Sequence, residues 1–273
     1  MRFVGDPVRR IDEDVLRLLR FFRFFAHYGR PAMDGPALAA CRKLAPRLGE
    51  LSGERVAGEL IRLLQAPDPA SVLGVMKTEG ILAQLLPEAQ DLTRLRVLCW
   101  LETRALARPG LGADPLRRLG AMVVADAAGV RALGERLKLS AAQTLRLSAI
   151  VVPEAAMAPD MGRAAARRAL RHLGMQTVRD LILVAWAGWR AHSGKINSAQ
   201  SARWQNLLDL CDSWQPVSLP VRGADCLDLG LPRGPAIGRA LARVEAWWEA
   251  ADYQPDRAAC LERLRAVVAE AMP

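Results

Sequence analysis

Apolar residues recur every three or four positions along nearly the whole chain, and stretches that alternate apolar with polar are almost absent. The pattern therefore predicts helix throughout. Ile11, Val15, Leu18, Phe22 and Ala26 form the first apolar stripe. Asp6 before Pro7 reads as an N-cap followed by the proline favoured at the first helical position, and Gly29 with Pro31 ends the run. One long helix with a bend near Ile11 is expected there. Further helices are expected at 36–44, 52–64, 69–78, 80–86, 92–107, 115–125, 127–137, 140–151, 163–173, 177–191 and 199–214, with two more closing the chain after a Gly/Pro-rich segment. Breaks fall at 29–34, Pro67, Pro87, 108–114 and 153–160, where glycine, proline and small polar residues cluster. The spacing is uneven, so the expected fold is all-α, an irregular multi-helix array and not a solenoid of fixed repeat.

Composition narrows the partners. The chain has 273 residues, room for one to three domains, and 51% of them are hydrophobic, enough for a real core. A net charge of +9 and a pI near 10.0 favour a polyanion and salt-sensitive binding to a phosphate backbone. Only four of the basic residues are lysine. No apolar run approaches the ~20 residues that span a bilayer and no leader follows Met1, so no membrane partner and a cytoplasmic location are expected. Cys41, Cys99, Cys211, Cys226 and Cys260 are odd in number and widely spaced, which predicts buried reduced thiols and no zinc site.

The chemistry concentrates near the N-terminus. Residues three or four apart share a helix face, so Asp14 and Glu13 are both neighbours of Arg17, and Arg20 continues the edge. A carboxylate only accepts hydrogen bonds and a guanidinium only donates them, in a rigid planar fork. Cytosine and adenine each show an amino donor beside a ring-nitrogen acceptor, whereas uracil and guanine reverse that order. Asp14 accepting and Arg17 donating would take C and A and reject U and G, because a wrong base leaves polar groups unmatched at about 1–3 kcal/mol each. An exposed helical ion pair worth about 0.3–0.5 kcal/mol has the same spacing, and both readings fit the residues.

A resemblance favours the first. The run Gly5-Asp6-Pro7-x-x-Arg10-Ile11-x-Glu13-Asp14-x-Leu16-Arg17-x-Leu19-Arg20, with Arg23-Phe24 and Ala26 after it, resembles the neck signature of the class II tRNA nucleotidyltransferase and bacterial poly(A) polymerase family. Ser52-Gly53-Glu54-Arg55 with Glu59-Leu60, Leu63 and Leu64 is similar to the following neck motif. Pro220-Val221-x-Gly223-x-Asp225-x-Leu227-x-x-Gly230, then Gly234-Pro235-x-Ile237-Gly238, resembles the C-terminal region of many bacterial members. The resemblance implies addition of the 3′-terminal CCA to tRNA from CTP and ATP without a nucleic-acid template, with Asp14 and Arg17 acting as the protein template for the incoming base. It implies a neck at 1–66 that recognises the nucleotide, a helical body at 67–160 and a helical, tRNA-binding tail at 161–273. Glu54, Arg55 and Glu59 would brace the nucleotide-reading helix, although a solvated face shows the same charge alternation.

The family's head carries a Gly-Ser or Gly-Gly loop and a strand-borne Asp-x-Asp that holds magnesium for a two-metal displacement. This sequence begins about where that head would end and shows no palm sheet. Asp12-x-Asp14 matches only formally, since residues two apart on a helix diverge. The expectation is thus no cofactor in this chain, Mg2+ in the complete enzyme, and no catalysis by the chain taken alone. His27, His172 and His192 are scattered and none precedes an aspartate, unlike the phosphohydrolase domain that some relatives append. The alternatives are a poly(A) polymerase of the same family or a stand-alone helical RNA-binding module.

Two segments are candidates for tRNA contact. Arg163, Arg167 and Arg171 form a ridge at four-residue spacing, whose mutual repulsion an external anion would relieve, although a solvated basic face looks the same. Around Gly234 and Gly238, small residues at a helix start would let a phosphate approach backbone N–H groups, with Arg233 and Arg239 adding charge. A tight turn that needs glycine for geometry alone fits equally well. The tryptophans are expected in the core, because none is interleaved with basic residues on a sheet.

Overall fold

The computed structural model describes residues 1–106, 108, 111–193 and 198–271. Among them the protein is all-helical, and no strand forms beyond one isolated antiparallel bridge between Ala89 and Val123. Helices α1 (Pro7–Glu13), α2 (Leu16–Tyr28) and α3 (Gly35–Leu44) lead through a 3-10 segment (Ala45–Glu50) to α4 (Gly53–Leu64), α5 (Pro69–Thr78) and α6 (Ile81–Leu85). Next, α7 (Leu92–Trp100) passes into a π-helical turn (Leu101–Ala105), followed by α8 (Pro115–Met122), α9 (Ala127–Arg136) and α10 (Ala141–Val151). The last five are α11 (Arg163–His192), α12 (Ser198–Ser213), α13 (Gly223–Asp228), α14 (Pro235–Ala250) and α15 (Arg257–Ala271). The end expected for the helix at 92–107, Ala107, lies outside the described residues.

Aspartate sets most of the starts. The side chains of Asp6, Asp34, Asp68, Asp91, Asp114 and Asp126 each accept from the backbone N–H three residues on, and proline occupies the first turn after four of them. Each such cap satisfies an N–H that the helix leaves unpaired, worth about 1 kcal/mol against alanine. Ser140 and Gln143 form a reciprocal capping box at α10. At Gly174, φ is 79° and ψ 157°, a conformation tolerated essentially by glycine alone. It separates the two arms of α11 where two helices are expected.

The chain divides into two compact units, one formed by Met1–Asp160 and Gln176–Asn206, the other by Met161–Met175 and Leu207–Pro273. In the first, Ile11, Val15, Leu18 and Phe22 are buried with Leu60 and Leu64 of α4 and Leu73 and Met76 of α5, so four of the five stripe residues fill the core. In the second, Val221, Cys226, Val244, Trp248, Cys260 and Leu264 pack together. All five cysteines are buried free thiols, and burial pushes Cys41 and Cys99 up to about 12.

Two features depart from the expected pattern. The single long helix at the N-terminus is in fact two, because Asp14 is extended (φ −156°, ψ 102°) and ends α1. Apolar periodicity runs on through Val15 and Leu16 and so hides the break. The other is a buried ionic network. Glu102, in the π turn, accepts from Arg117 Nε at 2.7 Å and from Arg118 Nε at 2.6 Å. Arg118, fully buried, also donates to the carbonyls of Leu64 and Ala66 at 2.6 and 2.7 Å, which closes the C-terminal end of α4. Arg117 reaches Asp180 at 3.1 Å, and Arg146 joins Asp180 to Asp114 at 2.8 and 2.7 Å. Three guanidinium groups face three carboxylates, so the charges balance.

Candidate nucleic-acid interface

The break at Asp14 changes the geometry around Asp14 and Arg17 from that of a continuous helix. The Arg17 N–H donates to the Asp14 carbonyl at 2.9 Å, so one tight turn keeps the two residues adjacent where a continuous helix was expected to. Their side chains have different anchors. Arg17 Nη1 donates to Glu13 Oε2 at 2.5 Å and to the Arg10 carbonyl at 2.9 Å. Asp14 Oδ1 accepts from the Leu16 N–H at 3.2 Å and from Arg55 Nη2 at 2.9 Å, while its Oδ2 lies 4.0 Å from Arg20. Burial works to raise the Asp14 carboxyl, but the Arg55 and Leu16 hydrogen bonds outweigh it and hold the group below its ordinary value. Glu13 is likewise lowered, chiefly by the Arg17 hydrogen bond. The Asp14 carboxylate and the Arg17 guanidinium thus stay with different partners and form no ion pair with each other.

Helix α4 supplies the brace. Glu59 is 3% exposed and receives Arg23 Nε at 2.5 Å, Arg62 at 3.4 Å and Arg20 at 3.5 Å. Its carboxylate therefore ties α4 to α2, and Arg55 ties α4 to Asp14. Glu54 takes no part: it is exposed, and its carboxyl is lowered by its own backbone N–H and by Ser52. Arg23, which sequence spacing did not single out as a site residue, belongs to this lattice and lies 4.0 Å over the Phe24 ring. The two acids of the formal Asp-x-Asp pair turn to different partners. Asp12 bonds Arg47 while Asp14 bonds Arg55, and among the described residues no group of three His, Cys, Asp or Glu side chains is placed to hold a metal.

The arginine ridge is not the open positive face that its spacing suggests. Arg167 pairs with Asp252, and Arg171 with Glu245 and Glu249, within the second unit. Carboxylates 74 to 85 residues away in sequence relieve the repulsion, so no external anion is needed there. Arg163 is exposed at the end of the ridge. In the tail motif, Arg233, Gly234, Gly238 and Arg239 are exposed at the start of α14. Gly234 has φ 142°, which accounts for glycine by geometry, whereas a Cβ at Gly238 would meet nothing within 4 Å. Trp186, Trp204 and Trp248 are buried as expected, but Trp100 is 39% exposed.

Comparison with known proteins sets this all-helical chain beside nucleotidyltransferases. Residues 33–92 match the family described as "Probable RNA and SrmB- binding site of polymerase A". The chain is 28% identical over 271 residues to CCA tRNA nucleotidyltransferase 1, mitochondrial, of Danio rerio, covering 97% of this chain and 58% of that protein. It is 34% identical over 87 residues to poly(A) polymerase I of Haemophilus influenzae, covering 32% of this chain and 19% of that one. The fold is that of the Bacillus stearothermophilus CCA-adding enzyme solved in complex with CTP, with a TM-score of 0.68 at 24% identity over 99% of this chain and 65% of that one. The chain is thus similar to the C-terminal portion of tRNA nucleotidyltransferases and poly(A) polymerases. It spans less than two thirds of the length of each of these relatives. No helix among the described residues is long and apolar enough to cross a membrane.

Proposed function

We propose that this chain is the RNA-holding and nucleotide-selecting portion of a template-independent tRNA nucleotidyltransferase that adds the 3′-terminal CCA from CTP and ATP, with the tRNA 3′ end as its partner. The supporting observation is the α1–α2 junction, where Asp14 and Arg17 are adjacent and each is fixed by a different neighbour. Glu13 engages one nitrogen of Arg17 and Arg55 one oxygen of Asp14. The remaining guanidinium donors and Asp14 Oδ2 form a donor and acceptor edge complementary to cytosine and adenine. Arg20, Arg55 and Glu59 keep that edge in place, and Arg163, Arg233, Gly234, Gly238 and Arg239 contribute to the RNA-holding surface. Catalysis would belong to a nucleotidyltransferase head bearing Mg2+; among the described residues no group of three His, Cys, Asp or Glu side chains is placed to hold a metal.

Titrating the chain with CTP, ATP, UTP and GTP while following the Arg17 side-chain Nε–H resonance tests the assignment. CTP and ATP should shift it and UTP and GTP should not. Equal shifts from all four would refute the base-reading role. A response to ATP alone would move the chain to the poly(A) polymerases, consistent with its similarity to the Haemophilus enzyme. RNA binding with no nucleotide response would leave a stand-alone binding module.

A further inference from the structure

Several exposed arginines, among them Arg42, Arg55 and Arg136, pair with a carboxylate, but Arg96 and Arg104 do not. Both are exposed, and among the described residues neither takes part in a hydrogen bond or ion pair. They lie four residues before and four after Trp100, the exposed tryptophan, so helical spacing brings all three to one face of α7 and its π turn. The three together line a hollow of about 170 Å³ with Pro67, Asp68 and Thr103. Asp68 does not neutralise them through its hydrogen bonds, since its oxygens accept from the Ser71 N–H and hydroxyl at 3.2 and 2.6 Å. Arg190 lies 4.3 Å over the indole and adds a third positive charge.

An indole flanked by unpaired guanidinium groups suits one kind of partner. Unpaired bases stack on aromatic rings irrespective of sequence, and cations beside the ring take the adjoining phosphates. A duplex hides its base faces, and a protein partner would call for a wider apolar patch than one ring. Location agrees: Pro67 and Asp68 belong to the segment that matches the RNA-binding family, and α5, within that segment, packs on α7. We propose that Arg96, Trp100 and Arg104 form a binding site for single-stranded RNA, in which Trp100 stacks one unpaired base and the two arginines meet the phosphates on either side. The site rests on the RNA-holding reading above but is separate from the Asp14 and Arg17 edge.

The test is fluorescence anisotropy of the full chain with a labelled, unstructured 12-nucleotide RNA and with an RNA duplex, across a salt series. Trp100→Ala should weaken single-strand binding at least about 5-fold and leave duplex binding unchanged. Trp100→Phe keeps a stacking ring and should restore most of the affinity, separating the effect from misfolding. Arg96→Glu with Arg104→Glu should flatten the single-strand salt slope by about 1.4, at roughly 0.7 per phosphate contact. Unchanged affinity in Trp100→Ala, or an equal loss for duplex, overturns the site. Trp100→Ala should leave the Arg17 Nε–H response to CTP and ATP as in the parent, so failure here and failure of the base-reading edge give different results.

Discussion

Replacing Glu59 by glutamine tests the idea that one buried carboxylate sets the geometry of the α1–α2 junction. Glutamine keeps the shape and one acceptor but removes the charge that three arginines share. Their responses differ with exposure. The side chains of Arg62 and Arg20 are 61% and 44% exposed and can turn to water, whereas Arg23 is only 18% exposed and cannot re-solvate fully. The loss is therefore close to that of one charge-assisted hydrogen bond, about 1.5–3 kcal/mol, and below the 3–5 kcal/mol expected when a fully buried pair is broken. At roughly 2–4 °C per kcal/mol for a domain of this size, the helical melt followed by circular dichroism should fall by about 3–12 °C. The partner variant Arg23→Met should make the two changes non-additive, because the guanidinium that suffers is then gone. A melt within 1 °C of the parent, or strict additivity with Arg23→Met, would refute the reasoning.

Two further outcomes follow from the geometry. Gly238→Ala should stabilise the protein by about 0.5–1 kcal/mol in urea unfolding, since α14 has open space there, whereas Gly53→Ala should destabilise it, its Cβ falling 2.0 Å from the Arg136 carbonyl; weakened RNA binding in the stable Gly238→Ala protein would mean that the glycine serves phosphate approach. Asp114 is raised by burial but lowered further by the Arg117 N–H and by Arg146, so its folded value lies below its unfolded one; its contribution is present above about pH 4 and is lost as pH falls through the folded value, and Asp114→Asn should lower stability most at neutral pH and flatten the acid limb, the two proteins converging as pH falls.

Local signals were legible where one residue acts on its own neighbours. The Asp6-Pro7 cap reading marked a helix start correctly, and the helices expected from 69 and 115 start where Asp68 and Asp114 cap and proline follows, because cap and proline act within a single turn. The break at Asp14 was not legible, since Val15 and Leu16 continue the apolar period that a helix would show. Nor was the neutralisation of Arg167 and Arg171, whose partners come from α14 and the turn after it and are visible only once the chain has folded. Arg117-Arg118 reads in sequence as surface charge, yet both are buried against Glu102. The candidate junction was legible by motif in its residues and not in its pairing: Glu13, not Asp14, bonds the Arg17 guanidinium.

The preference for guanidinium over ammonium, thirty-four arginines against four lysines, has a consequence for how the protein attracts its ligand. Many of these forks act as internal girders: Arg118 alone links a carboxylate and two carbonyls from separate stretches of chain. A girder already engaged has little field left to project. Each such pair already cancels within the net charge of +9, so the positive excess is carried by the arginines without a carboxylate partner, and their placement, not the total, decides where that charge faces solvent.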